Sequence, residues 1–149
     1  MSGAPSDRLA PDRLFIGGEW VEGEAGSRFA TLNPATGKTL AEVAEARAED
    51  VGAAVTAARA AMRGPWRSMA PADRAALLWK ISSAIEARAD ELVRLECLDN
   101  GKPIREARID IREAIDAFRY YAGWTTKLEG ETIPVRGNVL NYTVREPVG

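Results

Sequence analysis

The sequence contains no histidine and only one cysteine, Cys97, among its 149 residues. Histidine is the commonest general base near neutral pH and the commonest metal ligand. Its absence excludes a Ser/His/Asp triad, a Cys/His pair and a His-based zinc site within this chain. A single cysteine cannot form an internal disulfide, which fits a reducing compartment and predicts a cytoplasmic location.

Long apolar runs and an excess of positive charge are also missing. No apolar stretch approaches the ~20 residues of a membrane-spanning helix, so no membrane partner is expected. A net charge of -2 and a pI near 5.3 do not provide the excess of positive charge that binding to nucleic acid requires. Residues 1–12 lack the apolar core of a signal peptide and are predicted to be a flexible leader. The remaining composition is that of one globular domain.

The pattern of the chain predicts strands, then helices, then strands. Residues 14–16 and 19–21 flank Gly17-Gly18, which favours a two-residue hairpin turn. Further strands are predicted at residues 28–32 and 38–44, separated by the turn sequence Asn33-Pro34-Ala35-Thr36-Gly37.

Three helical regions follow these strands. The first begins near Ala48 and should end in a left-handed cap at Gly64-Pro65. Its apolar stripe, which should face inward, consists of Val51, Ala54, Val55, Ala58 and Met62. The second covers residues 71–99 and is closed by Asn100-Gly101. It is either one kinked helix or two, with Asp90 able to cap the second. The third begins after Pro103 and extends to about residue 130. Its inward face is predicted to carry Ile111, Ile115, Phe118, Ala122 and Thr125.

A hairpin arm is predicted at the end of the chain. Residues 133–135 and 139–146 have strand character and are separated by Arg136-Gly137-Asn138. Leu140, Tyr142 and Val144 alternate with polar residues, so one face of this arm should be apolar. Such a hairpin has open edges, which favour pairing with another chain.

The chain offers no candidate catalytic group. Cys97 is the only conceivable nucleophile, but it lies among acids with no histidine to activate it, so a structural role is favoured. The glycines fit neither the dinucleotide-binding nor the P-loop spacing. Acidic pairs such as Glu49/Asp50 are typical of solvated faces or first helical turns. The tryptophans and the Tyr120-Tyr121 pair are predicted to pack in a core or an interface.

Several motifs, in order along the chain, carry a family resemblance. They are residues 14–21, the turn at residues 31–37, Pro65-Trp66-Arg67, residues 95–103, residues 119–124, Thr132-Ile133-Pro134 and residues 145–149. Together they resemble the N-terminal segment of the aldehyde dehydrogenase superfamily. The resemblance implies an α/β fold in which residues 13–130 form the periphery of a cofactor-binding domain. It also implies that residues 131–149 form a β-hairpin oligomerisation arm.

The resemblance implies NAD(P)-dependent oxidation of an aldehyde to a carboxylic acid through a cysteine thioester. The family's cysteine, glutamate and asparagine match no position of this chain, so no catalytic or cofactor-binding residue is expected here. This chain alone should need neither NAD nor NADP. Some members hold a monovalent cation, and the matching positions are Thr31, Leu32 and Asp110. Leu32 could contribute only its carbonyl, and a further ligand would come from a part of the family sequence that this chain does not match. Asp110 has a second interpretation, because an acid beside an apolar stripe could cap the third helix.

Three hypotheses for the function follow. The leading one is an aldehyde dehydrogenase segment that is inactive alone and that associates with itself or with full-length subunits through residues 131–146. The second is a non-catalytic interaction protein that pairs with full-length subunits through the same arm. The third is a stand-alone helical module that binds a ligand.

Overall fold

The computed structural model describes residues 13–147. This part of the chain combines short strand pairs with helices, as the predicted α/β class requires. Its elements are β1 (Leu14–Ile16), β2 (Glu19–Val21), β3 (Arg28–Leu32), β4 (Thr39–Ala44), α1 (Ala48–Ala61), α2 (Pro65–Ser68), α3 (Pro71–Ala87), α4 (Ala89–Asn100), α5 (Ile104–Trp124), β5 (Thr132–Ile133) and β6 (Asn141–Tyr142).

The strands form three separate antiparallel pairs, β1–β2, β3–β4 and β5–β6. In the first pair Phe15 lies opposite Trp20, and their ring centroids are 5.0 Å apart. Gly17 and Gly18 both have positive φ angles, of 64° and 93°, as a tight two-residue turn needs. The predicted first hairpin is therefore confirmed.

The second hairpin is closed by the main chain of Asn33. Its N–H donates to the carbonyl of Lys38 at 2.9 Å, and its own carbonyl accepts the N–H of Gly37 at 2.7 Å. The pairing of β3 with β4 shifts in register between Thr31 and Leu32. The irregularity lies directly before the turn, at two of the three positions for which the resemblance implies a cation site.

The core lies where α5 packs against α3 and α4. The five residues predicted to face inward on α5 are all buried or half-buried, which confirms that stripe. Ser82 of α3 is fully buried, and its hydroxyl donates to the carbonyl of Ile115 on α5 at 3.2 Å. Among residues 13–147 the buried hydrophobic side chains are Val93, Ala107, Ile115 and Ala122.

The second helical region consists of two helices. α3 ends at Ala87 and α4 begins at Ala89, with Arg88 between them. Arg88, and not Asp90, is the N-cap residue of α4, and Asp90 lies in the first turn. An acid there still interacts favourably with the helix dipole. α5 begins directly after Pro103, as predicted, but ends at Trp124 rather than near residue 130.

The segment after α1 differs from the prediction. Gly64 has a φ of −90°, so it is not a left-handed cap; it is instead the N-cap of the short helix α2. Proline is favourable at a first helical position, and Pro65 therefore starts a new helix here. The guanidinium of Arg74 on α3 donates to the carbonyls of Trp66 and Arg67, at 2.9 and 3.0 Å, and so holds the end of α2.

Large apolar side chains remain exposed over much of the described surface. Val51 and Val55 of α1, predicted to face inward, are 54% and 45% exposed and line a shallow groove against β1. Of the two positions predicted for the aromatic residues, a core or an interface, the core is excluded among residues 13–147. Their side chains are each at least 40% exposed, at Trp66, Trp79, Trp124, Tyr120 and Tyr121. Their packing in an interface stays a prediction. No helix among the described residues is long and apolar enough to cross a bilayer.

Candidate functional site

Lys102 lies between α4 and α5 and contacts one acid from each helix. Its Nζ atom is 2.7 Å from Oε1 of Glu96 on α4 and 2.5 Å from Oδ2 of Asp110 on α5. All three side chains are partly shielded from solvent. The hydrogen bonds to Asp110 and then to Glu96 raise the pKa of Lys102 above its ordinary value of 10.5, so its ammonium is charged at neutral pH.

The main chain on both sides of Lys102 restricts the position of this residue. Gly101 ends α4 with a left-handed φ of 80°, and its N–H donates to the carbonyl of Cys97 at 3.0 Å. A Cβ atom at Gly101 would lie 2.6 Å from Cγ of Pro34, so only glycine fits between the helix end and the β3–β4 turn. Pro103 follows and is the N-cap of α5. The predicted helix end at Asn100-Gly101 is confirmed.

Asp110 does not cap the third helix, so that interpretation is wrong. α5 begins at Ile104, six residues earlier, because Pro103 already supplies the extended backbone that precedes a helix. Asp110 therefore lies within α5, where its carboxylate accepts a hydrogen bond from Lys102.

The three predicted cation ligands are divided between two elements. Thr31 and Leu32 end β3, where Thr31 is half-buried and the Leu32 side chain is 53% exposed. Asp110 comes from α5, and the ammonium of Lys102 already occupies Oδ2 of its carboxylate. Among residues 13–147 no three His, Cys, Asp or Glu side chains are grouped so that they could hold a metal ion. Binding of a cation at Thr31, Leu32 and Asp110 stays a prediction.

An apolar groove of about 370 Å³ lies beside this cluster. Thr31, Leu40 and Val43 line one side, and Leu95, Glu96 and Ile111 are among the helical residues on the other. The groove therefore places β3 and β4 next to α4 and α5. Sequence reasoning selected Asp110 but missed Lys102 and Glu96, although the Lys between a helix-ending glycine and a helix-starting proline was a usable signal.

Cys97 is a half-buried free cysteine on α4. Its own carbonyl accepts the N–H of Gly101, and so it takes part in ending the helix. A structural role for the Cys97 thiol stays a prediction.

The absence of dinucleotide-binding residues from this chain stays a prediction, and the positions of the glycines with positive φ agree with it. A phosphate-binding loop places glycine directly before the first turn of a helix, where free N–H groups meet the anion. None of the positive-φ glycines among residues 13–147 lies at a helix start. They occupy turns and one helix end, at Gly17, Gly18, Gly26, Gly37, Gly101 and Gly137.

Asp50 is a buried acid that the sequence assigned only to a first helical turn. It is 8% exposed, and its two carboxylate oxygens accept the N–H groups of Arg47 and Glu24, at 2.8 and 3.0 Å. The first bond caps α1 and the second fixes the loop after β2. Gly23, also buried, lies next to this carboxylate. The role of Asp50 is structural.

The strands β5 and β6 form the predicted terminal hairpin, with Thr132 opposite Tyr142 and Ile133 opposite Asn141. They are shorter than predicted, because residues 134–140 form a longer connection than the expected three-residue turn. Two bonds between Glu131 and Thr143 extend the pairing, at 2.8 and 2.9 Å. The arm exposes a run of large apolar side chains at Val135, Val139, Leu140, Tyr142 and Val144.

Comparison with known protein families gives one match, over residues 20–149, to the aldehyde dehydrogenase family. The chain belongs to the aldehyde dehydrogenase family. A putative aldehyde dehydrogenase, DhaS, of Bacillus subtilis is 52% identical over 139 residues, which is 92% of this chain and 28% of that protein. An aldehyde dehydrogenase of Emericella nidulans is 44% identical over 93% of this chain and 28% of its own length.

Solved aldehyde dehydrogenases have the same backbone arrangement as this chain. The NAD+ complex of the Bacillus cereus enzyme superimposes with a TM-score of 0.90 at 49% identity, over 95% of this chain and 29% of that one. The G224D mutant of the same enzyme gives a TM-score of 0.91 over 99% of this chain and 31% of that one. The chain thus spans less than a third of the aldehyde dehydrogenases that it matches.

Proposed function

We propose that this chain is the amino-terminal part of an NAD(P)-dependent aldehyde dehydrogenase, which oxidises an aldehyde to a carboxylic acid. The observation that carries the proposal is the match over residues 20–149, together with the shared backbone of a solved NAD+ complex. This relationship extends over nearly the whole chain. It favours a family segment over a separate interaction protein or a stand-alone ligand-binding module.

In this proposal residues 13–130 support a cofactor-binding domain and contribute no reacting group. Aldehyde oxidation by a thioester route needs an activated thiolate, a hydride acceptor held against it and a base for water. The chain has no histidine that could activate the Cys97 thiol, and the described glycines form no phosphate-binding loop. The reacting groups therefore come from the part of the family sequence that this chain does not span.

We further propose that the arm formed by residues 131–149 joins subunits. A two-stranded hairpin is marginal alone in water, and its open edges pair readily with another chain. The exposed side chains of Leu140 and Val144 support this role, because they are 75% and 66% exposed. The partner is a second copy of the chain or a full-length subunit. A cytoplasmic location is proposed from the single cysteine.

Reconstitution tests the proposed function. The chain is co-expressed with the Bacillus subtilis relative from which the matching segment has been removed, and NADH formation is followed with a panel of aldehydes. We expect activity only when both parts are present. The positive control restores the relative's own segment. Activity with that segment but none with this chain would contradict the proposal.

A further inference from the structure

The cluster of Glu96, Lys102 and Asp110 contains two carboxylates and one ammonium. Lysine carries three N–H donors on one compact charge, so one Nζ can bind an oxygen from each acid at the same time. The 2.7 Å contact to Glu96 has the length of a charge-assisted hydrogen bond, and the contact to Asp110 is likewise a hydrogen bond between opposite charges. The cluster is therefore a single electrostatic unit that joins the end of α4 to the middle of α5.

This unit is held by the backbone as well as by charge. Gly101 lies close to Pro34, and Pro103 is the N-cap of α5. The main chain of Lys102, which lies between them, therefore has little conformational freedom. The Lys102 side chain is only 26% exposed, which limits screening of its charge by water. The ammonium of Lys102 is therefore held within hydrogen-bond distance of Asp110.

A metal cation at Oδ2 of Asp110 would have to displace the ammonium of Lys102, and one at Oδ1 would lie beside its positive charge. The incoming ion would compete with Nζ for Oδ2 and would face the positive charge of Lys102 at short range. As the side chains stand, the Asp110 carboxylate does not fit a bound metal ion. We propose that the Lys102 ammonium is the built-in cation of this site, so that the protein needs no sodium or potassium ion at Asp110.

Thermal unfolding of the 149-residue chain in different salts tests the proposal. The melting temperature is measured at equal concentrations of potassium, sodium and N-methyl-D-glucamine chloride. An ion that binds the folded state raises the melting temperature. Because the proposal requires no such ion at Asp110, we expect the three melting temperatures to agree within about 1 °C. A rise of several degrees in sodium or potassium that Asp110→Asn abolishes would overturn the proposal.

Substitution of Lys102 provides the second arm of the test. Lys102→Gln leaves two acids without a counter-ion, and we expect the melting temperature to fall by about 3–6 °C. Arg88→Gln is the matched control, because Arg88 pairs with Glu91 at the open surface. This substitution should change the melting temperature by about 2 °C or less. Lys102→Arg keeps the charge and should recover at least half of the loss.

Two results count against the inference here. Equal effects of Lys102→Gln and Arg88→Gln would show that the cluster is an ordinary surface pair. If Lys102→Gln does not fold, the line width of the sodium NMR signal with the unaltered chain decides the question. Broadening that Asp110→Asn removes would overturn the inference, and its absence would support it.

Discussion

The carboxylate of Asp50 joins the first helix to the loop after β2, by accepting the N–H of Glu24 as well as that of Arg47. One buried side chain therefore satisfies two main-chain donors from different parts of the chain. A buried carboxylate left without hydrogen-bond partners is costly. Asp50 thereby fixes the position of the β1–β2 hairpin relative to α1.

Removal of the Asp50 carboxylate should be clearly destabilising. Asp50→Ala loses the helix cap and leaves the N–H of Glu24 without its acceptor, so the free energy of unfolding should fall by about 1–3 kcal/mol. The neighbouring Glu49→Ala, at an exposed position of the same turn, is the control and should change it by less than about 0.5 kcal/mol. Urea unfolding measures both variants. Equal effects would mean that Asp50 acts only through the helix dipole.

The contact between α3 and α5 should tolerate loss of a hydroxyl better than added volume. Ser82 is fully buried against Ile115. Ser82→Ala should lower the free energy of unfolding by about 0.5–1.5 kcal/mol, because it removes one hydrogen bond. Ser82→Leu should lower the free energy of unfolding by about 1–3 kcal/mol or more, because the larger side chain forces α3 and α5 apart.

Ser83 provides the matched control for that prediction. It is the next residue on α3 and is exposed. Ser83→Leu should leave stability nearly unchanged in urea unfolding. If Ser83→Leu were as harmful as Ser82→Leu, the assigned packing of α3 on α5 would be wrong.

The arm should control self-association. Leu140→Asp places a charge on the exposed apolar face, so we expect the chain to shift toward monomer in light scattering. Ile104→Asp is the control, because Ile104 is also exposed but lies at the start of α5, where an acid is well tolerated. A clean monomer at high concentration with the arm unaltered would contradict the proposed role.

Stability should respond to alkaline pH through Lys102. Because the folded chain raises the pKa of Lys102, its contribution is complete below the ordinary value of 10.5 and is lost as the pH rises toward the folded value. The difference in melting temperature between the unaltered chain and Lys102→Gln should therefore stay constant from about pH 7 to 9 and narrow only above about pH 10.5. A difference that disappears below pH 9 would show that the ion pairs are not formed.

Local rules predicted much of the fold. The positive-φ pair at Gly17 and Gly18, the helix end at Gly101 and the helix start after Pro103 each depend on backbone preferences of single residues. The inward face of α5 follows from its periodicity. These features need only neighbours within a few residues, so the sequence contains them directly.

Features that depend on distant parts of the chain escaped prediction. The second bond of Asp50 goes to a residue 26 positions away, and the partners of Lys102 come from two helices whose packing no periodicity specifies. The stripe of α1 reads as a core face but is exposed, since no described element covers it. The aromatic residues are exposed for the same reason, and their packing in an interface stays a prediction.

NADH formation by the chain alone tests the central claim most directly. The 149-residue chain is incubated with NAD+ or NADP+ and a panel of aldehydes, beside Cys97→Ser and a complete aldehyde dehydrogenase as positive control. We predict no reduction of either cofactor by the chain or its variant, because Cys97 is not activated and the described residues form no phosphate-binding loop. Turnover by the chain alone that Cys97→Ser abolishes would contradict the account.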